Sequence, residues 1–485
     1  MDRIRLASAV AVLAAVWAAC SRAPDALGCY AVIVGRGASA DGSVLVGHNE
    51  QNDGRQILNF RRIPGQRFPE GAVVRLRRGG QLPQVRQTAG LLWSENPGLE
   101  FSDAYLNEFG VAVVSDGCPS REDDYQTLVA RGEIRQGGIG CMLRRLVAQR
   151  ARTAREGVEL AGKLVEQFGY VDLGRTYVIA DPQEAWLLAV VRGRRWVAWR
   201  VPDDKVVVLP NIYIIGEVDL KDSDNFLASA DLIDYAVRRG WFDRQGAEPF
   251  NFRKVYRPER NDAPDLRGWR GRELVSGQRE PWPPKEPPLP GIKPREKMTV
   301  AAVAAILRDT AGPGRTLSTP ETQEGAVLQL RSGMPREIGC IYWRTSGEPS
   351  MGVLLPWYLG VTETPASYYR PVDLETHLSL EHHFRPPRGT FDYDPKLAWW
   401  TFKRLQDLVR EDFDHRIKVV RPVWAAFEQR VFGDQAAVEK KALELWETDP
   451  DAARAYLTEY CAKLSAQARQ EAERLSRTFP GVRGR

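Results

Sequence analysis

The sequence predicts an α+β layered fold. β-rich runs bounded by turn residues dominate the first part of the chain and return after residue 320. A helical apolar period separates the two groups, and a second helical pattern fills the chain from Lys396 onward. Strands, helices, strands and helices in that order, with no internal repeat, argue for packed layers of both element types.

The elements follow in chain order. Tyr30 to Val34 is a β-rich run, and Ser43 to Gly47 is another, with the turn-forming stretch 35–42 between them. The pair reads as a hairpin with Cys29 at the open end of its first strand. Further strands are predicted at Val73 to Leu76 and Gly110 to Val114, the latter fed by the tight turn Asn107-Glu108-Phe109-Gly110. Residues 141–168 read as helical, because Leu143, Leu146, Val147, Val158, Ala161, Leu164 and Val165 recur mostly at three- and four-residue intervals. Arg175 to Ala180, Ala185 to Val191 and Trp196 to Arg200 read as strands, punctuated by Asp181-Pro182 and Gly193. Asp231 to Arg239 reads as a helix. The proline-rich stretch Gly277 to Pro294 fits neither a helix nor a central strand and is read as a surface connection within one domain. Strands are predicted again at Ala326 to Leu330, Gly339 to Trp343 and Gly352 to Pro356. In the tail, Trp399, Phe402, Leu405, Leu408, Val409 and Phe413 share a helical face, and Ala436 to Glu447 and Ala452 to Arg474 continue the pattern.

The first residues differ in kind. Arg3 and Arg5 precede an uncharged apolar run, Leu6 to Ala19, which is shorter than the roughly 20 residues a membrane-spanning helix needs. The run has the length of a secretory signal core. Small residues at Ala26 and Gly28 place a cleavage site before Cys29. Trp17-Ala18-Ala19-Cys20 loosely resembles a lipoprotein box, so lipid anchoring at Cys20 is the alternative to a secreted, periplasmic or envelope location. The expected parts are a signal peptide or propeptide over 1–28, a main domain over 29–395 and a helical extension packed on it over 396–485. No transmembrane span is expected in the mature form.

Composition excludes other classes. The 485 residues carry 68 basic and 63 acidic side chains, a net charge of +5 that gives no reason to expect nucleic acid. The six cysteines contain no CxxC pair, which removes zinc ribbons and dithiol redox motifs. Five of them follow the leader, an odd number in a disulfide-permissive setting, so at least one thiol is left over. Cys29 is the thiol expected to do chemistry; Cys141 and Cys340 read as small core residues. The segment Thr376 to His383 lacks the HExxH spacing of a metal site.

A cysteine at a free amino terminus combines nucleophile and base. A free thiol has a pKa of about 8.5, and an α-amine one of about 7.7–8.0. The amine can therefore accept the thiol proton near neutral pH, as a terminal amine does for threonine nucleophiles. Only five histidines are present, none in a Cys/His protease signature.

The stretch from Cys29 to Ser43, followed by Gly47-His48-Asn49-Glu50, resembles the start of the N-terminal-nucleophile (Ntn) cysteine dipeptidases, the secernin-related family distantly allied to bile-salt and penicillin amidases. Further blocks in the same order carry the resemblance to about residue 475: Asn107 to Ala112, Ala180 to Trp186, Arg200 to Asp204 through Asn211, Gln329-Leu330-Arg331, Pro335 to Gly339 and Ala398-Trp399-Trp400. It implies a four-layer αββα sandwich, hydrolysis of dipeptides or other small peptides, and neither metal nor organic cofactor. Carried over by position, it implies Cys29 as nucleophile with its own amine as base, and Asn211 as donor to the oxyanion. His48 stands where the family commonly has an arginine, beside the nucleophile. Asn49 and Asp116 are candidates for the substrate site, with a turn aspartate as the plain reading of Asp116. Arg331 is a candidate for a substrate carboxylate, with a structural ion pair as its plain reading. The alternatives to a dipeptidase are an N-acyl amide hydrolase of the same fold and a catalytically silent envelope protein. Oligomeric state is left open.

Overall fold

The structure is a computed structural model and describes residues 28–52, 54–96, 102–258, 265–279, 281–282, 291–312, 315–370 and 391–479. Residues 1–27, half of the proline-rich connection and His377, His382 and His383 lie outside the described residues.

The strands are β1 (Tyr30–Val34), β2 (Val44–Gln51), β3 (Asn59–Ile63), β4 (Val73–Arg75), β5 (Gln81–Pro83), β6 (Leu91–Glu95), β7 (Ser102–Asn107), β8 (Ala112–Gly117), β9 (Tyr170–Ala180), β10 (Ala185–Gly193), β11 (Trp196–Arg200), β12 (Val206–Leu209), β13 (Phe226–Ala228), β14 (Thr322–Leu330), β15 (Cys340–Ser346) and β16 (Leu355–Tyr358). Two antiparallel sheets account for all but β4 and β5. One has the order β12-β1-β2-β14-β15-β16, and the other β13-β11-β10-β9-β8-β7-β6-β3.

The sheets lie face to face, with β1 against β8 and β2 against β9. Helices α1 (Met142–Arg150) and α2 (Ala154–Phe168) cover the outer face of the eight-stranded sheet. Helices α3 (Leu266–Ser276) and α4 (Val300–Leu307) cover the outer face of the six-stranded sheet at β12, β2 and β14. Helices α5 (Ala398–Arg410), α6 (Phe413–Thr448) and α7 (Pro450–Thr478) pack together and against β15 and β16. The order of layers is helix, sheet, sheet, helix, the αββα sandwich. Strands covered on both faces read as continuous apolar runs, and β1, Tyr-Ala-Val-Ile-Val, is buried along its whole length.

Several expectations shift. The helical stretch 141–168 is two helices, because Ala151 leaves helical geometry and Thr153 caps α2 by accepting from the Glu156 N–H at 3.1 Å. The strand expected at Arg175 begins at Tyr170, and the one expected at Gly352 runs instead over Leu355–Tyr358. Val73–Arg75 joins neither main sheet; it pairs only with β5 in a small ribbon. All five cysteines from Cys29 onward are free thiols. Cys340 is buried as expected, whereas Cys141 is half-buried at the start of α1, with its sulfur 3.5 Å from Asp172 Oδ2.

Candidate active site

Register places the first site residues. In the antiparallel pair β1–β2, Tyr30 lies opposite Asn49 and Ala31 opposite His48. Paired residues point to one face and successive residues to opposite faces. The His48 face looks into the space between the sheets, where Nε2 lies 3.1 Å from Asp116 Oδ1 on β8. Both side chains are almost fully buried. Glu50, two residues on, shares that face. The Cys29 thiol, an imidazole nitrogen of His48 and a carboxylate oxygen of Glu50 all lie within 4.8 Å of one another.

The opposite face of β2 meets helices. Gly47 packs beneath Val303 and Leu307 of α4, where a Cβ would stand 2.5 Å from Val303 Cγ1. Asn49 donates from Nδ2 to the carbonyls of Leu307 and Leu317, both at 2.8 Å. The structure thus turns Asn49 away from the inter-sheet space that His48 and Glu50 face, and it buttresses β2 from behind.

β12 brings in Asn211. Leu209 lies opposite Ala31, so the chain beyond β12 reaches the level of Cys29 two residues later. The backbone of Gly28 rests directly on the Asn211 side chain, where any Cβ would collide with the amide. Arg267 on α3 donates to Asn211 Oδ1 at 2.6 Å, to Gly28 O at 2.9 Å and to Cys29 O at 3.1 Å. A guanidinium only donates. Its position therefore fixes the oxygen of Asn211 toward Arg267 and leaves Nδ2 as the donor available elsewhere. Arg315 adds a second guanidinium on Gly28 O at 3.0 Å and also reaches Gln51 Oε1 at 3.1 Å.

The field between the sheets favours the neutral thiol. Burial comes first among the causes that push the Cys29 thiol well above its ordinary value, followed by the Glu50 and Asp116 carboxylates; Arg175 and the Gln51 backbone N–H oppose them. Burial likewise raises Glu50, against the pull of Arg144, the Cys29 contact and Arg175. Asn52 donates to Glu50 from its amide.

Arg331 lies elsewhere. It sits just beyond Leu330, which pairs with Val44 at the far end of β2 from Asn49. There it forms a two-pronged ion pair with Glu439 of α6, at 2.8 and 2.6 Å. The structural reading of Arg331 holds, and the structure does not bring it to Cys29. Arg267, Arg315 and Glu50 were not singled out from sequence. Glu50 carried a readable signal, since it alternates with His48 along β2, whose last residues return to the level of Cys29, with Asn49 opposite Tyr30. Arg267 is one of three arginines in a single short helix, and nothing local sets it apart from Arg270 or Arg272.

The model of Peptidase family C69 matches residues 28–425. A probable dipeptidase B of Streptococcus pyogenes serotype M1 is 24% identical over 480 residues, covering 92% of this chain and 89% of its own length. A probable dipeptidase of Salmonella dublin is 26% identical over 385 residues, covering 75% and 88%. Of solved structures, penicillin V acylase from Agrobacterium tumefaciens aligns with a TM-score of 0.33 at 13% identity, over 68% of this chain and 86% of its own. A conjugated bile acid hydrolase from Clostridium perfringens aligns with a TM-score of 0.31 at 14% identity, over 66% and 89%. With the family match spanning most of its length, the chain belongs to Peptidase family C69 and is a peptide-bond hydrolase.

Proposed function

We propose that the protein is an exported dipeptidase whose nucleophile is Cys29 at the mature amino terminus. The observation that carries this reading is the convergence of Asn211, Arg267 and the His48–Asp116 pair on Cys29 at the open end of β1. The apolar run Leu6 to Ala19 and the small residues before Cys29 support removal of residues 1–28 during export.

The chemistry follows from the groups present. Once the leader is gone, the α-amine takes the thiol proton, and Cys29 Sγ attacks the substrate carbonyl carbon. The carbonyl oxygen becomes an oxyanion, for which Asn211 Nδ2 is the donor left free by Arg267. The protonated amine then hands its proton to the leaving nitrogen, and the C–N bond breaks to give a thioester. A water, deprotonated by the same amine, hydrolyses the thioester and restores the thiol. The hold of Arg267 and Arg315 on the Gly28 carbonyl supports this placement, because that carbonyl belongs to the acyl group preceding Cys29.

Three measurements together test the proposal. Intact mass of the exported protein is expected to begin at Cys29. Cys29→Ala is expected to lower kcat/KM on dipeptides by roughly 10⁴-fold or more, as loss of a covalent nucleophile does. A panel of dipeptides and N-acyl amides is expected to favour the dipeptides. Unchanged hydrolysis by Cys29→Ala, or by a form retaining residues 21–28, overturns the mechanism; preference for N-acyl amides reassigns the substrate class.

A further inference from the structure

The end of β2 presents three metal-ligand side chains together. The thiol of Cys29, an imidazole nitrogen of His48 and a carboxylate oxygen of Glu50 come within 4.8 Å of one another, and all three residues are buried. Thiolate, imidazole and carboxylate are the ligand types of tetrahedral Zn²⁺. The imidazole is also oriented. Its Nε2 lies 3.1 Å from Asp116 Oδ1. A carboxylate on the second ring nitrogen is the arrangement that fixes the tautomer of metal-bound histidines. With the proton on Nε2, the lone pair remains on Nδ1.

We propose that the mature protein binds one Zn²⁺-class cation through Cys29 Sγ, His48, Glu50 and the Cys29 α-amine, and that this ion reversibly switches off hydrolysis. The fourth donor rests on the reading of Cys29 as the mature amino terminus; the three side chains do not. Sulfur and amine of one cysteine close a five-membered chelate ring on a metal. The thiolate and the carboxylate together neutralise a dication, so the ion and these two ligands add no net charge to a site that already holds Asp116, Arg144 and Arg175. Binding releases the thiol proton, and the ammonium and Glu50 carboxyl protons where present, to solvent, with no change of oxidation state. Four protein donors fill a tetrahedral shell and leave no open position for a reactive water. The ion takes both the attacking lone pair and the amine that would accept the thiol proton, so the loaded enzyme has neither nucleophile nor base. His48 is decisive here, because an arginine at this position has no lone pair to offer a metal.

Chelator-treated protein beginning at Cys29 is titrated with Co²⁺ and followed by absorption spectroscopy. One equivalent is expected to produce a sulfur-to-cobalt charge-transfer band and the intense visible bands of tetrahedral Co²⁺, and one equivalent of Zn²⁺ is expected to abolish them. His48→Arg and Glu50→Gln are each expected to weaken Co²⁺ binding at least about 10-fold and to lose the tetrahedral spectrum. Dipeptide hydrolysis is expected to fall in step with Zn²⁺ up to one equivalent and to return on adding EDTA. Absence of the charge-transfer band in the wild-type protein overturns the proposal and needs no variant. A band of equal strength and affinity in a folded His48→Arg or Glu50→Gln protein also overturns it, because cobalt would then be held by the thiol alone. Hydrolysis by the metal-free protein with no cobalt binding sinks the metal site and leaves the dipeptidase standing; stoichiometric tetrahedral cobalt in a protein that hydrolyses no dipeptide even when metal-free does the reverse.

Discussion

At the residue scale, the proposed mechanism depends on which atom of Asn211 faces the substrate carbonyl. Arg267 holds its oxygen, so only the amide nitrogen is left to meet a developing negative charge. Asn211→Ala is expected to lower kcat by about 10²–10³-fold with a smaller effect on KM, the range found for loss of one oxyanion donor. Steady-state kinetics on a good dipeptide measures it, and a change confined to KM would place Asn211 in substrate binding alone. Glu50 supplies a second test. Its carboxyl is raised above the ordinary range of about 4.3, chiefly by burial. A raised acid favours its protonated form in the folded state. Its contribution to stability is therefore fully present below the unfolded pKa and is lost as pH rises through the folded one. Glu50→Gln removes the charge that folding disfavours. The variant is expected to melt at a higher temperature than wild type at neutral pH and to match it below about pH 4. Equal melting curves at both pH values would remove burial as the dominant influence on Glu50.

At the element scale, alternation along β2 decides which residues face the space beside Cys29 and which meet the helix layer. His48 and Glu50 look toward the second sheet, while Gly47, Asn49 and Gln51 meet the helix layer or its loops. Gly47 lets α4 approach the sheet closely. Gly47→Ala is expected to cost about 1–3 kcal/mol by overpacking against Val303, read from the denaturation midpoint. Activity is expected to fall as well, since Asn49 is anchored on Leu307 of the displaced helix. Much at this scale was legible. The β-branched runs of β1, β2 and β14 carry their own signal because both faces are buried. β3 (Asn-Phe-Arg-Arg-Ile) and β6 (Leu-Leu-Trp-Ser-Glu) were not legible, because charged residues interrupt the apolar pattern and pair within the sheet, as Arg61 does with Glu95 at 2.7 Å. The break between α1 and α2 was signalled by Thr153-Ala154-Arg155-Glu156, a capping sequence, but apolar periodicity continues across it.

At the scale of the whole molecule, the helical tail is tied to the catalytic sandwich through buried charge. Glu428 of α6 accepts from Arg308, just after α4, and from the Leu354 N–H at 2.8 Å. Glu439 takes the two-pronged contact from Arg331, and Tyr358 and Gln435 also donate to it. Removing one partner of such a pair leaves a buried charge uncompensated. Arg331→Gln is expected to destabilise the fold by about 3–5 kcal/mol in chemical denaturation, while the folded fraction keeps its KM for dipeptides. A raised KM with unchanged stability would return Arg331 to the substrate site.

The sequence by itself determined the nucleophile candidate, the family and the layered alternation of strands and helices. These rest on local matters: a cysteine that follows an apolar run and small residues, ordered motifs, and periodicities that each element repeats along its own length. Only the tertiary structure decided which charged residues lie beside Cys29. Arg267 and Arg331 are equally plausible guanidiniums on paper, and their partners lie 56 and 108 residues away, at Asn211 and Glu439. The difference comes from strand register and helix placement, which set what each side chain faces. No short stretch of sequence contains that information, because the groups that choose between a reaction and an ion pair arrive from distant parts of the chain.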